Sequence, residues 1–187
     1  GIQNETISYL KECFDNKKPV TEAIHQKLLQ IFRYYVIVGG MPAVVQSFVD
    51  THDIAKSLQI QKDILALYRQ DISKYSKNGK ERIKDIFDRI PSELNSKNKR
   101  FSLADINLNA RMNRYESSFM WLADAGVTLP CYNVKDLTIP LEPNELRNLM
   151  KVFMNDTGLL CAMTIGNIQF DILQGNLEIN MGSIVEN

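Results

Sequence analysis

The chain has 187 residues, with 22 Lys and Arg against 22 Asp and Glu, so no net field draws it to nucleic acid or to an anionic membrane. A hydrophobic fraction of 44% suits a globular protein with a real core, in one large domain or two small ones. The start has no signal-peptide pattern, no apolar run nears the ~20 residues of a membrane span, and the scattered Cys13, Cys131 and Cys161 suit reduced thiols in a cytoplasm rather than disulfides.

The first 75 or so residues read as helical. In TEAIHQKLLQIFRYYVIV, Ile24, Leu28, Ile31, Tyr35 and Val38 recur at spacings of four and three, which places them on one helix face. The stripe stops at Gly39-Gly40. A glycine can close a helix in a left-handed conformation, and Pro42 suits the first turn of the next helix, PAVVQSFV. Asp50 or Thr51 is expected to cap the following helix, whose stripe is Ile54, Leu58, Leu65, Tyr68, Ile72 and Tyr75, with Gln61 as its one polar interruption.

After SKNGK the pattern changes. Asn78 with Glu81 predicts a cap for ERIKDIFDRIPSEL, and Ser102 with Asp105 predicts a capping box opening a short helix, LADINL. The next helix is RMNRYESSFMWLADAG, with Met112, Tyr115, Phe119 and Leu122 on one face and Gly126 as its stop. VTLPCYNV and LRNLMKVFM read as strands, separated by a loop with Pro140 and Pro143. Helix, short helix, helix, strand, long loop, strand is the order of a winged helix-turn-helix. The tail from DTGLLCAMTI onward predicts one or two short helices.

Catalytic patterns are absent. A phosphate-binding loop needs spaced glycines followed by Lys-Ser or Lys-Thr, whereas Met41-Pro42 follows Gly39-Gly40 and the proline removes a donor. That favours a rigid turn over an anion cradle. His25 and His52 are the only histidines and form no two-His helical motif, so no metal site is expected. Asp63, Asp71, Asp85 and Asp88 lie among lysines and arginines, as on a solvated face. Between Ser73 and Arg100 nine basic side chains face four acidic ones. Lys97, Lys99 and Arg100 close that stretch, and Arg111, Asn113, Arg114 and Ser117 open the third helix of the candidate winged unit. Such residue types contact phosphates and base edges, so these seven form the candidate set for double-stranded DNA. Glu116 and Asp124 on the same helix argue against it, and winged helices also dock proteins.

The stretches YYVIVGGMPAVVQSFV, IQKDILALYRQDISKYS, RIPSELNSKNKRFSLADIN, YESSFMWLADAGV and KVFMNDTGLL, in that order, resemble a group of bacterial and archaeal AAA-type ATPases. These carry a domain of unknown function C-terminal to the ATPase core. The resemblance runs from about Thr21 to Asn187, and Gly39-Gly40-Met41-Pro42 is one of its most specific parts. It implies a P-loop ATPase before this region, holding ATP and Mg, and this chain has no Walker motif. It also implies that GSIVEN, with Glu186, leads into a segment similar to the restriction-endonuclease fold, whose further acidic and lysine positions would lie past Asn187.

The expected architecture is mainly α: a helical bundle over 1–76, a winged helix-turn-helix with a small β wing over 77–155, and a helical tail over 156–187. The expected role is a non-catalytic accessory region, cytoplasmic and without cofactor of its own, coupling its ATPase core to DNA. The competing expectation is a structural docking module that packs on the ATPase core or another subunit.

Overall fold

The amphipathic helix α5 (Lys80–Asn95) lies at the middle of the molecule in the computed structural model, which describes residues 4–75, 79–96, 98, 100–106, 111–164, 172–173 and 182–187. Ile83, Ile86, Phe87, Ile90 and Leu94 recur at helical spacing along it, and all are buried. Before it stand α1 (Asn4–Asp15), α2 (Glu22–Val38), α3 (Pro42–Thr51) and α4 (Ile54–Tyr75). After it come a 3-10 turn (Leu103–Asp105), α6 (Met112–Asp124), β1 (Thr128–Val134), a second 3-10 turn (Glu142–Asn144), β2 (Glu145–Met154), α7 (Thr157–Met163) and α8 (Gly182–Glu186). The described chain is therefore mainly helical, with one small antiparallel sheet.

One face of α5 receives α6 and β2, while α4 and α7 also pack against it. The Phe101 ring meets Phe119 edge-on at 5.1 Å, and Phe87 meets Tyr68 in the same way at 6.4 Å. One cluster of buried side chains runs from Val36 and Leu65 through α5 and α6 to Leu159, Leu160 and Ile184. Residues of the bundle, the middle region and the tail thus share a core.

In the sheet, Thr128 faces Met154 and Cys131 faces Lys151; the register then jumps, so that Asn133 faces Leu146. The jump leaves residues 147–149 as a bulge on β2. Pro130 lies within β1, which among the described residues has a strand partner on one side only, so its missing N–H costs no ladder bond at the free edge. The Phe101 N–H donates to the Met150 carbonyl, which ties the segment after α5 to β2.

Several local expectations need correction. Asp53, rather than Asp50 or Thr51, caps α4: its Oδ1 accepts from the Ala55 and Lys56 N–H groups at 2.8 and 3.2 Å. Asp50 is engaged by Gln46 instead, and Thr51 donates to the Ser47 carbonyl. Of the stretch LADINL, Leu103–Asp105 make a 3-10 turn to which Ser102 provides no side-chain cap, and Asn107 and Leu108 lie outside the described residues. The Ser102 backbone N–H donates to the buried Glu93 carboxylate, which holds the segment extended onto β2. Asn78 and the side chains of Asp105 and Tyr75 lie outside the described residues; the residue before α5 is Gly79, at φ +84°.

The α2 stripe is buried only at its C-terminal end. Val36, Ile37 and Val38 enter the core, Ile24, Leu28 and Ile31 are half-buried, and Tyr35 is 63% exposed. Only the last turn of α2 is covered by α4 and α7, so periodicity marked an apolar face of which part lies open.

Candidate interaction surface

Gly39-Gly40-Met41-Pro42 forms the turn between α2 and α3. Gly39 ends α2 at φ +70° and ψ −158°, a backbone region that essentially only glycine occupies. Pro42 opens α3 at its first position. The turn does not stand alone. The Gly40 N–H donates to Oδ2 of Asp156 at 2.6 Å, and Oδ1 of Asp156 accepts from Leu159 N–H at 2.8 Å as the cap of α7. An internal carboxylate therefore takes the donor that a phosphate cradle at this turn would offer.

Helix ends leave four carbonyls without intrahelical partners. In α2 all four are met. Tyr35 O accepts from Gly39 N–H, Val36 O accepts from the Cys161 thiol at 3.7 Å, and the Gln61 amide donates to Ile37 O and Val38 O at 2.8 and 3.1 Å. Gly158 allows this approach, because a Cβ there would lie 2.6 Å from Val38 O. The polar interruption in the α4 stripe is thus the group that completes α2.

Burial, with a smaller contribution from the Asp156 carboxylate, pushes the Cys161 thiol up to about 12. An unfolded thiol ionises near ~8.5, so above that pH the unfolded state gains free energy that the folded state does not. The contribution of Cys161 is whole below about pH 8.5 and falls by about 1.4 kcal/mol per unit until the folded pKa is reached. Stability measured by denaturant melts between about pH 9 and 11 should decline less steeply in Cys161→Ala than in the native chain. Parallel slopes would refute this.

The second surface is built by α6 and the sheet hairpin. Tyr115, Ser118, Phe119 and Leu122 turn α6 into the core, and Trp121 packs partly buried against it. Asn113, Ser117, Met120 and Asp124 form its outward stripe, with Arg111 and Arg114 exposed beside it. Arg114 offers its carbonyl to the Arg82 guanidinium at 2.8 Å. Arg147 on the β2 bulge donates to Glu116 at 2.6 Å; this hydrogen bond and the Glu116 charge raise its already high pKa. Burial likewise raises the Tyr132 phenol, against the lowering effect of Arg147.

The loop between the strands carries Leu137, Ile139 and Leu141 at 81, 87 and 43% exposure. Its charges are Lys135, Asp136 and Glu142. Of the candidate DNA set, Arg100, Arg111, Asn113, Arg114 and Ser117 are exposed, while Lys97 and Lys99 lie outside the described residues. Arg111, Asn113, Arg114 and Ser117 share the start of α6. Arg100 instead lines a groove of about 470 Å³ with Cys131, Lys151 and Phe153, on the outer face of the sheet. Lys151 there is paired with Glu186.

The apolar loop tip was missed by sequence reading, although Leu-Thr-Ile-Pro-Leu between two strands was its visible signal. Among the described residues no group of three His, Cys, Asp or Glu side chains could hold a metal, and no helix is long and apolar enough to cross a membrane. No curated protein and no solved structure gives a match. A family model described as a domain of unknown function (DUF8612) matches residues 29–169.

Proposed function

This chain belongs to the DUF8612 family, a domain of unknown function, and from its own surfaces we propose that it is a non-catalytic accessory region that docks onto another protein subunit through a winged helix. The ATPase half of this reading, an AAA-type core that the region serves, rests on the sequence resemblance alone. The order α5, 3-10 turn, α6, β1, β2 supports the winged helix, as does the bond from Phe101 N–H to Met150 O. The observation that carries docking is the apolar loop tip. Leu137 and Ile139 are more than four-fifths exposed, and such side chains on a loop gain nothing from water and much from a protein partner. A photoreactive side chain at position 139 of the full-length protein tests it. Illumination should give a protein–protein cross-link, and no cross-link would overturn the docking role.

DNA is the second reading, favoured by the exposed Arg111, Asn113, Arg114 and Ser117 at the start of α6. On a chain of zero net charge such a patch would bind duplexes weakly, with little sequence preference and a steep loss with salt. A low-salt duplex titration decides it. Arg111→Ala/Arg114→Ala should weaken binding to all duplexes alike, and no binding by the native chain would end the reading.

A further inference from the structure

We propose that the subunit received by the loop tip is a second copy of this chain, and that its receptor is the groove between α2 and α3. This deepens the docking role and rests on it. The groove has a volume of about 590 Å³ and is lined by Ile31, Tyr34, Phe48 and Val49, with Lys27, Gln30 and His52. Tyr34 and Phe48 form its aromatic floor, with ring centroids 5.3 Å apart, and Phe48 is backed by His52 at 5.7 Å. Ile31 of the α2 stripe lines the groove, and the same two helices also expose Phe32, Tyr35, Val45 and Val49.

Knob and hole are complementary in shape and in charge. The loop tip projects three branched aliphatic side chains, a form that enters an aromatic-floored groove. Asp136 and Glu142, with Lys135 beside Asp136, leave the tip one net negative charge, whereas the groove lining holds Lys27 and no carboxylate. Opposite charges at the rim guide docking and fix its register. A different partner would cover either the tip or the groove. A second copy covers both apolar surfaces with one kind of contact, repeated.

Such a contact joins two different surfaces, the tip of one copy and the groove of another. It closes as a reciprocal two-fold pair or a larger ring, or runs on as a chain. Sedimentation of the full chain over a concentration series tests this directly. The native protein should rise above its 21.4 kDa monomer mass with concentration, to the dimer or beyond. Ile139→Asp and Val49→Asp alter exposed side chains, so both should keep the native circular dichroism while remaining monomeric. An equimolar mixture of the two should associate again and stop at two copies, because one intact tip and one intact groove remain.

A native chain that stays monomeric to millimolar concentration would overturn the proposal. So would association that survives either variant, or a mixture that stays monomeric. The photoreactive side chain at position 139 separates this failure from failure of docking itself. A cross-link mapped to α2 or α3 of another copy supports both; a cross-link to a different protein keeps docking and removes the second copy.

Discussion

Replacing Gly39 with alanine should lower stability by on the order of 4 kcal/mol and Tm by on the order of 10 °C. Two costs combine. The backbone at φ +70° and ψ −158° suits glycine alone. A Cβ built there would also lie 2.7 Å from Cγ of Asp156, and closer still to both carboxylate oxygens. Gly40 provides the internal control. A Cβ at Gly40 would meet only Oδ2 of Asp156, at an ordinary 3.7 Å, so Gly40→Ala should cost under about 1 kcal/mol. Equal melting temperatures for the two variants would show that the turn does not depend on the Gly39 conformation.

Asp156→Ala should cost about 3 kcal/mol, from the loss of the α7 cap and of the acceptor for the Gly40 N–H. Asp156→Asn should cost less, since one carboxamide oxygen still serves one of the two donors while the other loses its acceptor. The double variant Gly39→Ala/Asp156→Ala carries the sharper expectation. Truncating Asp156 removes the oxygens that the new methyl would strike, so the pair should cost at least about 1 kcal/mol less than the sum of the singles. Strict additivity in chemical denaturation would mean that the turn and the α7 cap do not touch.

What could be read in advance follows from the range of each interaction. Gly39 was legible because helix termination is local: a periodic stripe stops, a glycine follows, and a proline restarts the chain. The inward face of α6 and both strands were legible for the same reason. The α4 cap was not, because Asp50, Thr51 and Asp53 are all competent cappers, and the left-handed His52 decides where the helix resumes. Gln61 was visible as a polar break in an apolar stripe, but its partners lie on another helix, 23 and 24 residues back. Asp156 and Gly40 are 116 residues apart, and no pattern within a single element could join them.

The candidate surface divides in the same way. Arg111, Asn113, Arg114 and Ser117 could be assigned together from their spacing on one helix. The hydrophobic loop tip could not be weighed from sequence, because an apolar residue between strands usually turns inward. Tyr35 makes the converse point. Its spacing matched the buried stripe, yet exposure depends on which helices arrive to cover it.

The junction between the end of α2 and the start of α7 also bears on how the protein leaves the ribosome. Residues 36–40 emerge early, but Asp156 and Cys161, which their backbone engages, are made far later. At roughly 5–20 residues per second, the 116 residues between Gly40 and Asp156 take on the order of 6–23 s to synthesise. Through that interval the Val36 carbonyl and the Gly40 N–H lack their partners, beside the apolar side chains of Val36, Ile37 and Val38. The nascent chain therefore presents a sticky, half-finished helix end for seconds, a site suited to a chaperone's grip.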